Sequence, residues 1–506
     1  MRKWSAEFKK VKAKTKNGAI ELNKAVFAHL LLIGLPTILI YCLRLTEWQL
    51  TNLHLAIAFF YIFSAFMLLL ETSTAMFRRY ATKPDKNRPA AGKLSQLHDS
   101  LKSGLGVAGS RHPAPQLPPP RCSFLIAAYL PNEQQIIIET IEHILLNIPR
   151  PPAGLEVILT YNTPVDLPVE EDLRNLARLY PELRLLRVEG SRSKAENLNA
   201  GFEIVTGEIT CILDADHHPA PDCFTRAWHW IDQGYDVVQG RSVIRNHNRS
   251  FLTQIIAIEF EMIYGIVHAA KSFLTDSSIF GGSNGYWRTS VLQQIRFNPL
   301  MLTEDIDASM RTLLKGYRIL HDRSIISTEL APTNLGSFWF QRKRWAQGWL
   351  EVGLKYQQQL WKSNKLTLWQ KVFWTYLLYY CAFYPLVAIQ IVSLALSLSL
   401  HHSSIPLAVR DYLWFSTLVS GFSAIYQTCI TAKIASTRYP IAHYLKHVLL
   451  LIPYITLKNV IAIVAVYDLL RGNNDWVVTP RGKYHQRDRA VLQKTAGKIL
   501  DKGISN

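Results

Sequence analysis

Cysteine is scarce in this chain. There are six in 506 residues, Cys42, Cys122, Cys211, Cys223, Cys381 and Cys429, and no two form a C-x-x-C pair. That number and spacing exclude a disulfide scaffold and a cysteine-rich zinc site. Three of the six lie in apolar stretches, where a thiol is an ordinary packing residue. Acidic residues are also few: 38 Asp and Glu stand against 56 Lys and Arg, a formal charge of +18. Only 19% of the chain is charged, whereas 49% is hydrophobic, too much for a disordered chain. A sequence both strongly basic and half apolar must separate the two. At about 150 residues per domain its length leaves room for two or three domains.

The apolar residues gather at both ends. Val26–Leu43 and Leu55–Leu70 each approach the roughly 20 residues that cross a bilayer as a helix, and a short loop joins them. Basic residues flank the pair, from Arg2 to Lys24 before it and at Arg78, Arg79, Lys83 and Lys86 after it. This places both ends of a helical hairpin in the cytoplasm. A signal peptide is the rival reading of the first run, but no small-residue cleavage site follows it. Further spans are expected at Val372–Leu398 and Tyr412–Ala432. His447–Leu470 reads as re-entrant or interfacial, because Pro453 interrupts it, Lys458 divides it and both flanks are basic. The excess charge thus sits beside membrane segments, which argues against nucleic-acid binding.

Lys83–Arg121 is rich in Pro, Gly, Ser and Lys and reads as a flexible linker. From Cys122 to about Leu335 the composition is that of a soluble domain. Strand-length apolar runs at Ser123–Ala128, Leu155–Tyr161, Leu183–Val188, Ile209–Leu213 and Asp236–Val238 alternate with helical patterns such as Ile136–Ile148 and Glu170–Tyr180. Alternation of this kind predicts a mostly parallel sheet covered by helices, with ligands at the carboxyl ends of the strands. Phe251–Phe273 is apolar enough to resemble a span, but Glu259, Glu261, His268 and Lys271 make it a helix packed on the domain.

Three clusters carry chemistry. Ile212-Leu213-Asp214-Ala215-Asp216 ends an apolar strand in two carboxylates, oxygen ligands suited to Mg²⁺ or Mn²⁺ on a diphosphate. A solvated turn is the plainer reading of such a pair. His217 and His218 follow it, in turn or supporting roles. Thr303-Glu304-Asp305 opens a helical pattern, with Thr303 as a good N-cap and the acids suited to the helix dipole. Beyond capping, the crowded carboxylates there offer a base for a hydroxyl proton. Gln341-Arg342-Lys343-Arg344-Trp345 lies among aromatics before the Val372 run. It reads as an amphipathic interface helix that also supplies an Arg for phosphate and a Trp face for a sugar.

With these motifs in this order, Cys122 to Gly348 resembles the family 2 glycosyltransferases of GT-A fold, in particular the membrane-embedded processive branch of cellulose, chitin and hyaluronan synthases. Asn132-Glu133 resembles the family's early loop. Lys194 and Asn199, in Ser193-Lys194-Ala195 and Asn197-Leu198-Asn199, resemble its donor element. Gly281-Gly282-Ser283-Asn284 resembles the element lining the acceptor site. The resemblance implies an α/β, Rossmann-like catalytic domain over 122–335, inserted between membrane segments. The remaining divisions are a basic cytosolic segment 1–24, a hairpin 25–71, a linker 72–121, interface helices 336–368, a transmembrane or re-entrant region 369–470 and a basic tail 471–506. That tail is too short for the C-terminal regulatory domain of some cellulose synthases.

The resemblance further implies inverting transfer from a nucleotide-sugar, a UDP-sugar, to a growing β-linked polysaccharide, coupled to export. Asp305 would be the base, with Glu304 and Thr303 beside it. Asp214 and Asp216 would hold Mg²⁺ or Mn²⁺. Lys194, Asn199 and Arg344 would bind the donor, and Gly282, Ser283, Asn284, Gln341 and Trp345 the acceptor. The family's acids after the second strand are missing, so Tyr161, Asn162 or Asp166 would hold the base. Trp374, Tyr376, Tyr379, Tyr380, Phe383 and Tyr384 offer an aromatic lane through the membrane, or an interfacial belt. The alternatives are a non-processive enzyme acting on diacylglycerol or a polyprenyl carrier, and a non-enzymatic sugar or nucleotide receptor. The expected setting is the plasma (inner) membrane with the catalytic domain in the cytosol, in contact with membrane lipids.

Overall fold

The computed structural model describes residues 20–28, 30–31, 47–81, 118–380, 407–435, 437 and 439–473. The first 19 residues, most of the linker, Phe383, Tyr384 and the rest of the Val372 run after residue 380, and the tail beyond residue 473 lie outside the described residues.

The central region is built on one eight-stranded sheet in the order β3-β2-β1-β4-β7-β6-β8-β5. The strands are β1 (Cys122–Tyr129), β2 (Leu155–Asn162), β3 (Leu183–Arg187), β4 (Ile209–Asp214), β5 (His218–Pro219), β6 (Val237–Ile244), β7 (Gly285–Arg288) and β8 (Ile319–Glu329). β3, β2, β1 and β4 run parallel, with Leu125 beside Ile158 on one side and Ile212 on the other. β7 runs antiparallel to both β4 and β6, and β8 parallel to β6. Helices cover both faces. Alternate residues of β1 therefore enter different cores, Phe124 and Ile126 one, Leu125 and Ala127 the other. A strand buried on both sides loses the polar half of its alternation, which is why β1 and β2 read as continuous apolar runs.

All five strands read from the sequence form, β6 extending well past Val238. No strand pattern announces β7, with four residues and a glycine, or β8, whose His-Asp-Arg-Ser centre breaks the apolar pattern. Glu156 on β2 is a buried charge in this frame. Its carboxylate accepts from Ser123 Oγ (2.5 Å), Thr206 N (2.6 Å), Thr206 Oγ1 (2.9 Å) and Gly207 N (3.1 Å). Burial raises its pKa, but these donors outweigh burial and hold the group below the usual carboxylate range. Its contribution is therefore present above the unfolded carboxylate pKa and is lost as pH falls through the depressed folded value. Glu156→Gln is expected to destabilise the domain by about 1–3 kcal/mol, measured by denaturant unfolding at neutral pH, with a smaller difference in acid.

Phe251–Thr275 is one helix in three parts: α-helix to Phe260, a π-helical stretch over Glu261–Val267, and α-helix again from His268. Ser250 and Thr253 close a capping box at its start. It lies between the sheet and the hairpin helix Glu47–Ala81, and Glu261 is paired inside the protein with Arg241 at 3.2 Å. Three helices among the described residues are long and apolar enough to cross a membrane: His54–Phe77, Phe251–Thr275 and Leu451–Leu470. Leu407–Ile434, which contains the expected Tyr412 span, packs along Glu47–Ala81, with Ser420 Oγ donating to Tyr61 O at 3.2 Å. Its Ser, Thr and Gln content leaves it less apolar than those three.

The His447–Leu470 segment is interrupted as expected: the helix Ile441–Leu449 ends at Leu450, and a second helix, Leu451–Leu470, starts there with Pro453 in its first turn. An amide at Pro453 would have no intrahelical partner in the second helix, whereas its ring bars continuation of the first. Lys458 does not divide the segment, because its ammonium is paired with Glu259 at 2.8 Å.

Candidate active site

The carboxyl ends of β1 and β4, the loop before β7 and the start of the helix Glu304–Leu314 converge on one cavity of about 650 Å³. β4 ends in Asp214, whose amide donates to Ser283 Oγ at 3.0 Å. Asp216 is buried and accepts from Leu330 N at 3.1 Å. Ligand atoms of Asp214, Asp216 and His217 lie within 4.8 Å of one another. Both nitrogens of His217 are engaged, at 3.2 Å with Ser327 Oγ and at 3.2 Å with Glu329 Oε2. Burial would neutralise this ring, but Glu329 prevails and raises its pKa. His217 is thus held between Ser327 and Glu329 beside the two carboxylates.

Lys194 forms an ion pair with Asp214 and donates to Gly282 O at 2.7 Å, with Glu304 4.0 Å away. Burial works against its charge, but Asp214 and Glu304 raise its pKa overall. Its ammonium is a cation already seated on the first carboxylate of the pair. Oxygen donors that attract a cation suit Mg²⁺ or Mn²⁺, so the residues fit a divalent ion.

Asp305 opens the helix Glu304–Leu314. Burial first, and then neighbouring Glu304, raise its pKa to about 7, against the pull of Lys194 and Arg344. Thr303 occupies the N-cap position, but its side chain makes no capping hydrogen bond, and its buried Oγ1 has no hydrogen-bond partner among the described residues. The hydroxyl instead packs on the helix Leu335–Lys362. A Cβ built on Gly348 would lie 2.5 Å from Thr303 Oγ1. A glycine three residues after Trp345 of the Gln341-x-x-Arg344-Trp345 (QxxRW) motif therefore lets that helix approach the Thr303 loop. Gly282 serves Asp305 similarly: it has φ +87°, and an added Cβ would meet Asp305 Oδ2 at 2.9 Å.

Three consecutive basic residues of the Leu335–Lys362 helix go three ways. Arg344 enters the site and donates to Leu302 O at 3.0 Å. Arg342 pairs with Glu259. Lys343 reaches Glu21 at 2.9 Å and Asp468 at 2.8 Å. Gln341 and Trp345 line the cavity. From Trp345 the cavity continues to Leu68 and Glu71 of the hairpin helix, Lys271, Tyr376 and Tyr380, Gln427, and Leu451 and Ile455.

The cavity thus gathers Lys194, Asp214, Gly282, Ser283, Thr303, Glu304, Asp305, Gln341, Arg344 and Trp345. Other candidates are held by the fold. Asn199 clamps Phe297, donating to its O at 2.7 Å and accepting from its N at 2.9 Å. Asn284 is fully buried, donates to Arg241 O at 3.1 Å and accepts from Tyr286 OH at 3.1 Å. Tyr161 is buried and donates to Glu170 at 3.2 Å. Asn162 donates to Ser191 O at 2.9 Å and accepts from Asn197 at 2.8 Å. Asp166 is exposed and paired with Arg187 at 2.7 Å. Trp374 donates to Ser277 Oγ at 2.8 Å and, like Tyr379, packs in the core.

Among the lining residues that sequence reasoning missed are Glu329 and Tyr264. Glu329 ends β8, so inspecting strand ends would have found it had the strand been recognised. Tyr264 sits in the π-helical stretch, for which an apolar pattern gives no sign. Its hydroxyl would lie 3.0 Å from a Cβ on Gly281.

Comparison with known proteins agrees with this architecture. A family model, glycosyl transferase family group 2, matches residues 209–467. A probable glycosyltransferase of Bacillus subtilis, YdaM, is 23% identical over 389 residues, 74% of this chain and 88% of its own length. A poly-β-1,6-N-acetyl-D-glucosamine synthase of Staphylococcus epidermidis is 29% identical over 261 residues, 50% of this chain. The chain spans 60% of the length of that synthase. Among solved structures, a mannosyltransferase of Pyrobaculum calidifontis in complex with GDP-Man and Mn²⁺ aligns at TM-score 0.53 and 21% identity, over 83% of this chain and 99% of that one. The sheet is that of a GT-A domain, and the chain belongs to the family 2 glycosyltransferases.

Proposed function

We propose that the enzyme transfers a sugar from a nucleotide-sugar to a saccharide acceptor held at the membrane, extending a β-linked polysaccharide. The observation that carries this reading is the unbroken cavity from Asp214 and Asp305, past Trp345, to the apolar helices. Its far wall is not simply greasy. Lys271 and Glu71 pair at 3.3 Å, and Gln427, Tyr376 and Tyr380 stand beside them. Burying such groups beside a lipid tail would be costly, whereas hydroxyl-rich sugar can hydrogen-bond to them. This favours a glycan over diacylglycerol or a polyprenyl chain. The names of the staphylococcal relatives make UDP-N-acetylglucosamine the first donor to test. The apolar helices support an integral membrane protein, divided as the sequence suggests, with the catalytic domain cytosolic.

The chemistry would be a single displacement. Asp305 takes the proton of the acceptor hydroxyl, whose oxygen attacks the anomeric carbon as the bond to the diphosphate oxygen breaks. Inversion follows from attack opposite the leaving group. Arg344 stabilises charge on the departing nucleoside diphosphate. Asp214 and Asp216 would hold Mg²⁺ or Mn²⁺, which neutralises diphosphate charge when bound. Lys194 orients the first carboxylate and lies where it also meets donor phosphate. Glu304 keeps the base proton-hungry, while Thr303 and Gly282 fix its place. Gln341, Ser283 and the face of Trp345 position the acceptor sugar.

The test is purified protein in lipid vesicles with Mg²⁺ or Mn²⁺, offered labelled UDP-N-acetylglucosamine, UDP-glucose and GDP-mannose. A high-molecular-weight product from one donor is expected. A product that extracts into organic solvent with one or two sugars attached would overturn the polymer reading. Gly282→Ala should lower turnover about 10²-fold, because the new methyl displaces the Asp305 carboxyl. Turnover within a factor of about two of wild type would show that this contact does not place the base.

A further inference from the structure

The proposed chemistry has no use for Glu259, yet this carboxylate is buried at the edge of the cavity and gathers three donors from two other helices. Arg342 of the Leu335–Lys362 helix pairs with Oε2. Tyr454 OH donates to Oε2 at 2.8 Å and Lys458 Nζ to Oε1 at 2.8 Å, both from Leu451–Leu470. A buried carboxylate is costly unless charge and hydrogen bonds answer it, and here both do.

The consequence lies one step further on. The Arg342 guanidinium carbon sits 4.3 Å from the Trp345 ring centroid, with Phe338 at 5.2 Å and Phe260 at 5.6 Å on its other sides. Among the described residues Glu259 is the ion-pair partner of this guanidinium, and a ring held over a guanidinium by cation–π attraction feels the direction in which that cation is anchored. Trp345 lines the cavity. The Trp345 ring thus lies against a guanidinium that is anchored on Glu259.

We propose that Glu259, held by Tyr454 and Lys458, is a positioning residue for the acceptor, acting through Arg342 on the Trp345 ring. This rests on the reading of Trp345 as the acceptor platform. Glu259 orients the ring, and the last apolar helix reports its own position to the site through the same carboxylate.

The test compares Glu259→Gln, Glu259→Asp, Tyr454→Phe and Trp345→Ala with wild type in vesicles. UDP-N-acetylglucosamine is the donor and a short β-1,6-linked N-acetylglucosamine oligosaccharide the acceptor. Glu259→Gln should raise acceptor KM between roughly ten- and a hundred-fold, with donor KM within about twofold of wild type. Glu259→Asp should recover part of the loss by restoring the charge. Tyr454→Phe, which removes one hydrogen bond at almost constant volume, should shift acceptor KM in the same direction by a smaller factor, and it serves as the test if Glu259→Gln does not fold. If Trp345→Ala raises acceptor KM while neither Glu259→Gln nor Tyr454→Phe does, the positioning role is wrong and the platform stands. If Trp345→Ala leaves acceptor KM unchanged, the platform itself is wrong and the inference falls with it. A parallel fall in all parameters that Glu259→Asp does not relieve would mark Glu259 as purely structural.

Discussion

Asparagine at position 305 is expected to lower sugar transfer by about 10²–10⁴-fold while nucleotide-sugar binding persists. The substitution keeps the shape of the side chain and removes its ability to accept a proton. The argument for Asp305 over its neighbours is environmental. Both Glu304 and Asp305 stand at the start of one helix, but Asp305 is the one whose pKa is raised to about 7 by burial and by the charge of Glu304. A base must be ionised to act, so transfer should rise with pH through about 7 and level off above it. Glu304→Gln removes the neighbouring negative charge and should move that acid limb to lower pH. Equilibrium binding of the donor and a pH series of initial rates make the two measurements. Undiminished turnover in Asp305→Asn would remove Asp305 from the role of base.

Asp214→Asn is expected to be nearly as damaging, with a loss of about 10²–10³-fold in transfer. The same loss should follow chelation of the wild-type enzyme and should be reversed by Mn²⁺ or Mg²⁺. Structure adds a distinguishing detail. Lys194 is seated on Asp214 and on Gly282 O, so a divalent ion must share or displace that ammonium. Lys194→Met should then strengthen metal binding in the absence of donor and weaken donor binding in its presence, both measurable by titration calorimetry. Full turnover in a chelated enzyme would end the metal reading.

The strand-end acids, the Thr303 cluster and QxxRW were legible in the sequence because each is a run of adjacent residues. Their meeting in one cavity was not, because it depends on β7 and β8, which lack a strand signature. The resemblance pointed to Asn199 and Asn284 as ligand contacts; Asn199 spends its amide on the backbone of Phe297, and Asn284 on Arg241 O and the hydroxyl of Tyr286. A buried amide in a motif meets the need for satisfied peptide groups as readily as the need of a ligand, and no pattern of letters separates the two. In the sequence Glu259 and Lys458 stand as obstacles to burial in lipid. Each carries a warning about solvation in the sequence, and only the packing of two distant helices makes them partners.

The π-helical stretch has one more effect. Glu259 and Lys271 are twelve positions apart. At about 100° per residue in a regular α-helix they would point about 120° away from each other. A π-bulge absorbs one surplus residue, which reduces the divergence to about 20°. Both side chains line the same cavity. The helix therefore works as a ruler with one graduation skipped. Removing one residue between Glu261 and Val267 would let the stretch relax to a regular α-helix with its two ends still in phase, whereas regularising it at full length would turn either the carboxylate away from Arg342 or the ammonium away from Glu71.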